Sequence, residues 1–193
     1  MTSIVLASAS PRRRELLTQL GVAFDLCSAD IDERVAEAEG ASEYVERMAR
    51  EKCELVFSRT GGGRPVLGAD TSVICDHRIL GKPVDRDDAL STLALLSGRW
   101  HRVITSVALC SEGMTHVINV ESRVKFCTLT EQQCSDYWAT GEPHDKAGSY
   151  AIQGIGGCFV EQIEGSYSAI VGLPLAQTAE LLKQHKVPIW QFN

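Results

Sequence analysis

No stretch of this 193-residue chain is long or apolar enough to cross a bilayer. That excludes an integral helical membrane protein. An export signal is missing too: the strand-like run Ile4 to Ala7 precedes the arginines Arg12 to Arg14, the reverse of a signal peptide's order, so a cytoplasmic location is expected. No C-x-x-C pair occurs among Cys27, Cys53, Cys75, Cys110, Cys127, Cys134 and Cys158. Scattered and odd in number, they are expected to be reduced thiols acting as small apolar residues, without a disulfide framework or a zinc site. The histidines His77, His101, His116, His144 and His185 lack metal-ligand spacing. A basic excess is absent as well: 19 Lys and Arg against 25 Asp and Glu give a formal charge of -6, which argues against a nucleic-acid polymer as partner and leaves room for a local basic pocket. Gly61-Gly62-Gly63 lacks the Lys-Ser or Lys-Thr of a phosphate loop and runs through Arg64-Pro65 toward a strand, so it reads as a turn. There is no internal repeat and no linker.

What the chain does have is the composition of a soluble globular protein, with 44% hydrophobic and 23% charged residues. Its length suits one domain or one domain with two lobes, and residues 1–193 are expected to form a single domain. Residues 3 to 7, 11 to 20 and 22 to 28 read as strand, helix and strand, with a stop at Gly21, which is a βαβ signature. Ser10 is a good N-cap and Pro11 suits the first helical turn. The arginines that follow do not. The helix start already carries unpaired N–H groups and the positive end of the dipole, so cations there cost stability and together make an anion site. The alternative is that the guanidinium groups reach solvent or pair with Glu15 and other acids.

An acidic loop containing Asp30, Asp32, Glu33, Glu37 and Glu39 leads to a helix expected from Ser42 to about Arg59, with Val45, Met48, Ala49, Leu55 and Val56 as its apolar seam. Lys52 falls on that seam. Either its stem packs on the core and its amine reaches water, or it faces a pocket. The strand Val66-Leu67 is expected to end at Gly68-Ala69-Asp70-Thr71, which would put a carboxylate just beyond a buried strand, where open α/β sheets place their chemistry. Short strands around Asp76-His77, a helix from Asp87 to Ser97 stopped by Gly98, and β-structure over 99 to 127 turning at Glu112-Gly113 follow. Thr130 and Gln133 make a capping box for a helix ending at Gly141, and the Gly-rich stretch from Gly141 to Gly154 reads as a binding loop. A hairpin around Glu164-Gly165 and a helix from Pro174 to Gln184 complete the pattern.

Ser8, Ser10, Arg12, Arg13, Glu33, Lys52, Asp70, Lys82, Asp145, Lys146 and Gln153 form a mixture of cations and acids, most of them at strand ends or helix starts. Phosphoryl and nucleotidyl chemistry needs such a mixture, cations and N–H groups to hold phosphates and carboxylates to bind a divalent metal and orient water. The run Leu6-Ala7-Ser8-Ala9-Ser10-Pro11-Arg12-Arg13, the Gly68-Ala69-Asp70-Thr71 segment, Gly81-Lys82-Pro83, and Gly141-Glu142-Pro143 through Asp145-Lys146-Ala147-Gly148 to Ile152-Gln153-Gly154 closely resemble the Maf family of nucleoside triphosphate pyrophosphatases. The similarity extends from about Ser3 to Leu182, and the tail Val187 to Asn193 looks individual.

The resemblance implies a three-layer α/β/α fold with a mixed sheet and two lobes around a central nucleotide-binding groove, like the inosine triphosphatases, together with a homodimer and a divalent Mg or Mn ion. It implies hydrolysis of a nucleoside triphosphate to the monophosphate and pyrophosphate. Asp70 is then the proton acceptor and a metal ligand, Glu33 a second acid at the metal, and Ser8, Ser10, Arg13, Lys52 and Lys82 hold the triphosphate, with Asp145 also at the substrate. Arg12, Thr71 and Gln153 match the branch acting on dTTP and UTP, and a glutamine amide offers the donor and acceptor that the uracil or thymine edge requires. Flipped, the same amide matches cytosine. The implied role is nucleotide-pool house-cleaning, linked to cell-division arrest. Two other functions are a non-catalytic nucleotide-sensing regulator of septum formation, which would not need Asp70 and Glu33, and an inosine triphosphatase, which the three specificity positions disfavour.

Overall fold

The computed structural model describes residues 3–191. Strand β1 (Ile4–Leu6), helix α1 (Pro11–Gln19) and strand β2 (Phe24–Leu26) form the expected βαβ unit, with Ile4 beside Phe24 and Leu6 beside Leu26 in parallel register. Ile4, Val5 and Leu6 are almost wholly buried, as in a parallel strand covered on both faces. At Gly21 the φ of 61° puts the backbone in the left-handed region, and a Cβ there would lie 2.7 Å from the Gln191 amide. The tail causes that crowding. Trp190 N donates to Leu20 O (2.7 Å) and Gln191 N to Gly21 O (2.8 Å), while Phe192 and Asn193 of the same tail lie outside the described residues.

Helix α2 (Ala41–Arg59) begins one residue before the expected Ser42, because the Glu43 carboxylate reaches back to accept from Gly40 N at 3.1 Å. Its buried side is Tyr44, Val45, Met48, Ala49, Lys52, Cys53 and Val56. Cys53, rather than the half-buried Leu55, completes the seam. This side packs with Val5, Ala7, Val66, Ala108 and Cys110.

Strand β3 (Val66–Cys75) differs from the sequence expectation. It passes unbroken through Gly68 and Asp70, so the carboxylate is mid-strand and not beyond a strand end. The glycine serves a different purpose from a turn: a Cβ on Gly68 would lie 2.6 Å from Ala49 O and 2.9 Å from Cys53 N, so its absence lets α2 approach the strand. Strand alternation then puts residues 66, 68 and 70 on the α2 side. The strand that does end nearby is β1, whose parallel pairing with β3 stops at Leu6 opposite Leu67.

Asp76 and His77, with φ of 48° and 64°, form a tight turn into β4 (Arg78–Leu80), antiparallel to β3. Helix α3 (Arg86–Leu96) is capped by Asp85, which accepts from Asp88 N at 2.9 Å, and the chain turns at Gly98. The long strands β5 (Trp100–Ser111) and β6 (Met114–Phe126) turn at Glu112-Gly113, as expected. Helix α4 (Glu131–Ala139) starts at the expected capping box, with Thr130 Oγ1 accepting from Gln133 N and Gln133 Oε1 from Thr130 N. Strand β7 (Val160–Glu164) pairs antiparallel with β6. The hairpin expected at Glu164-Gly165 is therefore not formed. The edge of β7 is satisfied by β6, and Ser166 Oγ accepts from Ala169 N to open α5 (Tyr167–Val171). Helix α6 (Leu175–Gln184) follows Pro174.

The sheet order is β2-β1-β3-β5-β6-β7 with β4 beside β3, a mixed sheet of the α/β class. Two compact units are distinguished: the described residues up to Asp70 with Thr105–Val120 and those from Gly172 onward, and Thr71–Ile104 with Glu121–Val171. Strands β3, β5 and β6 contribute residues to both. Among the described residues no helix is long and apolar enough to cross a membrane, and all seven cysteines are free thiols.

The core of the second unit is aromatic. Phe126 meets Tyr150 (4.8 Å) and His101 (5.0 Å) edge to face, and Tyr137 meets Phe159 likewise (5.0 Å). His101 Nε2 lies 2.8 Å from the Tyr150 hydroxyl, and burial depresses the imidazole pKa from 6.5 to about 4. A depressed folded-state pKa gives stability that is complete above 6.5 and lost as pH falls toward 4, by roughly 1.4 kcal/mol per pH unit within that window. Urea unfolding of wild type and His101→Gln from pH 7 to pH 4.5 should show a shallower acid slope in the variant; identical slopes would mean that His101 does not titrate on unfolding.

Candidate active site

In the first unit the turn before α1 is built by Ser8. Its buried hydroxyl accepts from Ser10 N (3.2 Å) and from Arg13 Nη1 (3.4 Å). Ser10 occupies the expected N-cap position with Pro11 after it, but its side chain makes no capping hydrogen bond, and no acid stands in the first helical turn. Both departures leave the helix start able to receive an anion. Of the arginines, Arg14 is exposed, Arg12 is half-buried, and Arg13 turns inward to donate through Nε to Gly172 O at 3.0 Å. Burial draws the Arg13 pKa down; the Asp70 carboxylate opposes that, Arg12 adds to it and Glu33 resists it. A guanidinium starts so high that it remains charged.

Lys52 resolves the question its position raises. Its ammonium lies 2.8 Å from Asp70 Oδ1 and 2.7 Å from Glu33 Oε1. The Lys52 and Asp70 side chains are only 11% and 13% exposed, against 51% for Glu33, so the Lys52–Asp70 pair is the poorly solvated one. The alternation that puts Asp70 on the α2 side and the i, i+4 spacing of Tyr44, Met48 and Lys52 make this meeting geometrically direct.

The acidic loop is tied down from α2. Tyr44 donates to Glu33 O (2.9 Å), and Arg47 donates to Arg34 O (2.9 Å) while pairing with Glu39 (2.6 Å). Burial, together with the charges of Asp70 and Glu33, pushes the Tyr44 phenol up to about 12, so it remains a donor. Tyr44 and Arg47 are absent from the sequence-derived site. Tyr44 stands two helical steps before Lys52 on one stripe, a signal that would have found it.

A cavity of about 220 Å³ is lined by Ser8, Ala9, Ser10, Arg14, Leu26 and Ser28. Whole small-molecule ligands usually need roughly 300–1,000 Å³, so this cavity suits a fragment such as a phosphate group. Ser28 here was not anticipated, whereas Arg14 is one of the three arginines expected at an anion site.

The remaining expected residues belong to the second unit. Thr71 follows Asp70 on β3 and is half-buried, and Lys82 is exposed after β4. Gly148 N donates to Gly81 O (3.1 Å), which joins the Lys82 segment to the loop after Asp145. Asp145 forms an ion pair with Lys146, and Gln153 is exposed.

The Maf-like protein family matches residues 3–185. This chain belongs to the Maf family. Three curated Maf relatives are named dTTP/UTP pyrophosphatase: that of Hahella chejuensis is 54% identical over 189 residues, covering 97% of this chain and 94% of its own. That of Methylobacillus flagellatus is 50% identical over 190 residues (98% and 96%), and that of Vibrio cholerae 48% over 182 residues (94% and 97%). Among solved structures, a nucleoside-triphosphatase described as a dITP/XTP pyrophosphatase from Mycobacterium abscessus shares 19% identity with this Maf protein over 64% of this chain and 72% of its own (TM-score 0.41), a partial likeness that adds nothing to the assignment.

Replacing Lys52 by Met would leave the Asp70 and Glu33 carboxylates without the cation they share. Chemical denaturation should show a stability loss of up to about 3 kcal/mol for Lys52→Met, largely recovered in Lys52→Met/Asp70→Asn. Equal midpoints for wild type and Lys52→Met would mean that the ammonium holds neither carboxylate.

Proposed function

We propose that this Maf protein is a nucleoside triphosphate pyrophosphatase that adds water across the α–β phosphoanhydride of dTTP and UTP, and of modified uridine triphosphates, giving the monophosphate and pyrophosphate. The observation that carries the reading is the Lys52 ammonium held between Asp70 and Glu33, with Arg13 nearby, in a chain about 50% identical to relatives named for this activity. Arg12, Arg13, Lys52, Lys82 and the hydroxyls of Ser8 and Ser10 bind the triphosphate. Asp70 takes the proton of the attacking water as the bond to the pyrophosphate oxygen breaks. Thr71, Asp145 and Gln153 contact the nucleoside, Gln153 offering an acceptor and a donor to N3–H and O4 of the base.

A divalent Mg or Mn ion fits the donor set. Among the described residues no cluster of three or more His, Cys, Asp or Glu could hold a metal. Asp70 Oδ1 and Glu33 Oε1 are hard oxygen donors that both reach the Lys52 ammonium, at 2.8 and 2.7 Å, so a divalent ion would sit beside that ammonium and share the two carboxylates with it, its shell completed by water and substrate phosphate. Asp70 and Glu33 would hold it. When bound, the ion neutralises developing charge on the phosphates. A cytoplasmic homodimer that cleans the nucleotide pool, with a link to division arrest, completes the proposal on the family resemblance.

Purified protein with Mg²⁺ or Mn²⁺ should convert UTP and dTTP to monophosphate and pyrophosphate, read by chromatography of the products. Orthophosphate with a nucleoside diphosphate would rule out the α–β bond, and binding without turnover under either ion would favour the sensor of septum formation. Asp70→Asn should lose ~10²- to 10⁴-fold in kcat, the usual worth of a general base. Activity within a few-fold of wild type would remove Asp70 from that role.

A further inference from the structure

Gln153 is exposed, yet the backbone on either side of it is fixed. The Tyr137 hydroxyl accepts from Ala151 N (3.1 Å) and donates to Glu142 Oε1 (2.6 Å). Glu142 in turn accepts from Ile155 N through Oε2 (2.9 Å) and from Gly156 N through Oε1 (2.9 Å). One phenol and one carboxylate therefore grip the loop two residues before Gln153 and two and three residues after it.

The glycines confirm how closely the grip is fitted. A Cβ on Gly154 would collide with Glu142 Oε2, and one on Gly156 would lie 2.5 Å from the Tyr137 hydroxyl. Burial works against a charged Glu142, but the hydrogen bonds from Tyr137, Gly156 and Ile155 and the charge of Lys146 hold its pKa below the ordinary value. The Tyr137 phenol is pushed up by burial and by Glu142. The donor and acceptor roles are thus fixed: three donors meet an acceptor-only carboxylate.

We propose that Tyr137 and Glu142 are positioning residues for substrate selectivity, a latch that fixes the backbone around Gln153 so that its amide meets two atoms of the pyrimidine edge at once. This rests on Gln153 reading the base, as set out above. Neither latch residue has to touch substrate. With the latch released, the Gln153 amide loses its fixed placement, the paired contact to O4 and N3–H weakens, and uracil and thymine lose their advantage over cytosine, whose edge the amide meets only when flipped.

The test uses two variants. Tyr137→Phe keeps the ring in the aromatic core and removes the hydroxyl; Glu142→Gln puts an amide donor where backbone N–H groups already donate. Steady-state kinetics with UTP, dTTP and CTP should show KM for UTP and dTTP rising ~10-fold, kcat within about threefold, and the UTP-to-CTP ratio of kcat/KM narrowing by a similar factor. Hydrogen exchange of the Ala151, Ile155 and Gly156 amides should accelerate in both. Equal losses on all three nucleotides, or an unchanged KM and UTP-to-CTP ratio in the folded Tyr137→Phe protein, would overturn the latch. Gln153→Glu separates the two ideas: if it leaves the ratio unchanged, the base reading itself fails, whereas a changed ratio there with none in the latch variants removes only the latch.

Discussion

A single ammonium, that of Lys52, holds two carboxylates from different parts of the first unit, and the arrangement around it follows from the demands of that charge. Almost buried, Lys52 requires Asp70 to offset its desolvation. Asp70 reaches it because β3 continues past the end of β1 and because Gly68 lets α2 lie against the strand. Glu33 reaches it because Tyr44 and Arg47 bind the acidic loop to the same helix. Helix α2 therefore supplies the cation and also the tethers that bring one of its partners.

How legible this was in the sequence depended on the kind of signal. Lys52 stood out because it violates a periodic apolar seam, and a violation of that kind has few physical resolutions. The turns at Asp76-His77 and Glu112-Gly113 and the Thr130–Gln133 box were legible because each is local: the residues that specify them are the residues that form them. Gly68 misled for the opposite reason. A glycine that admits a neighbouring helix and a glycine that makes a turn look alike in one dimension, and only the position of Ala49 O tells them apart. Glu164-Gly165 misled similarly, since the partner of β7 lies some forty residues earlier in β6 and not just ahead.

The site residues divide along the same line. Ser8, Arg13, Lys52, Glu33 and Asp70 were recognisable as chemistry out of place, and the structure brings them together in one unit. Tyr44 was recognisable only through its place on the Lys52 stripe, and Tyr137 and Glu142 were not, because a tyrosine at a helical apolar position reads as core and a glutamate in a loop reads as solvated charge. Tyr137 and Glu142 hold backbone groups, and backbone partners leave no trace in side-chain identity.

The docking of Trp190 and Gln191 onto Leu20 and Gly21 has a consequence for which substitutions the chain can accept. Any side chain at position 21 would begin with a Cβ 2.7 Å from Gln191 N and 2.8 Å from Trp190 Cα, so it would have to lift the tail away from the carboxy-terminal end of α1. Gly21 and the tail are therefore free to vary only together, although they stand far apart in the chain.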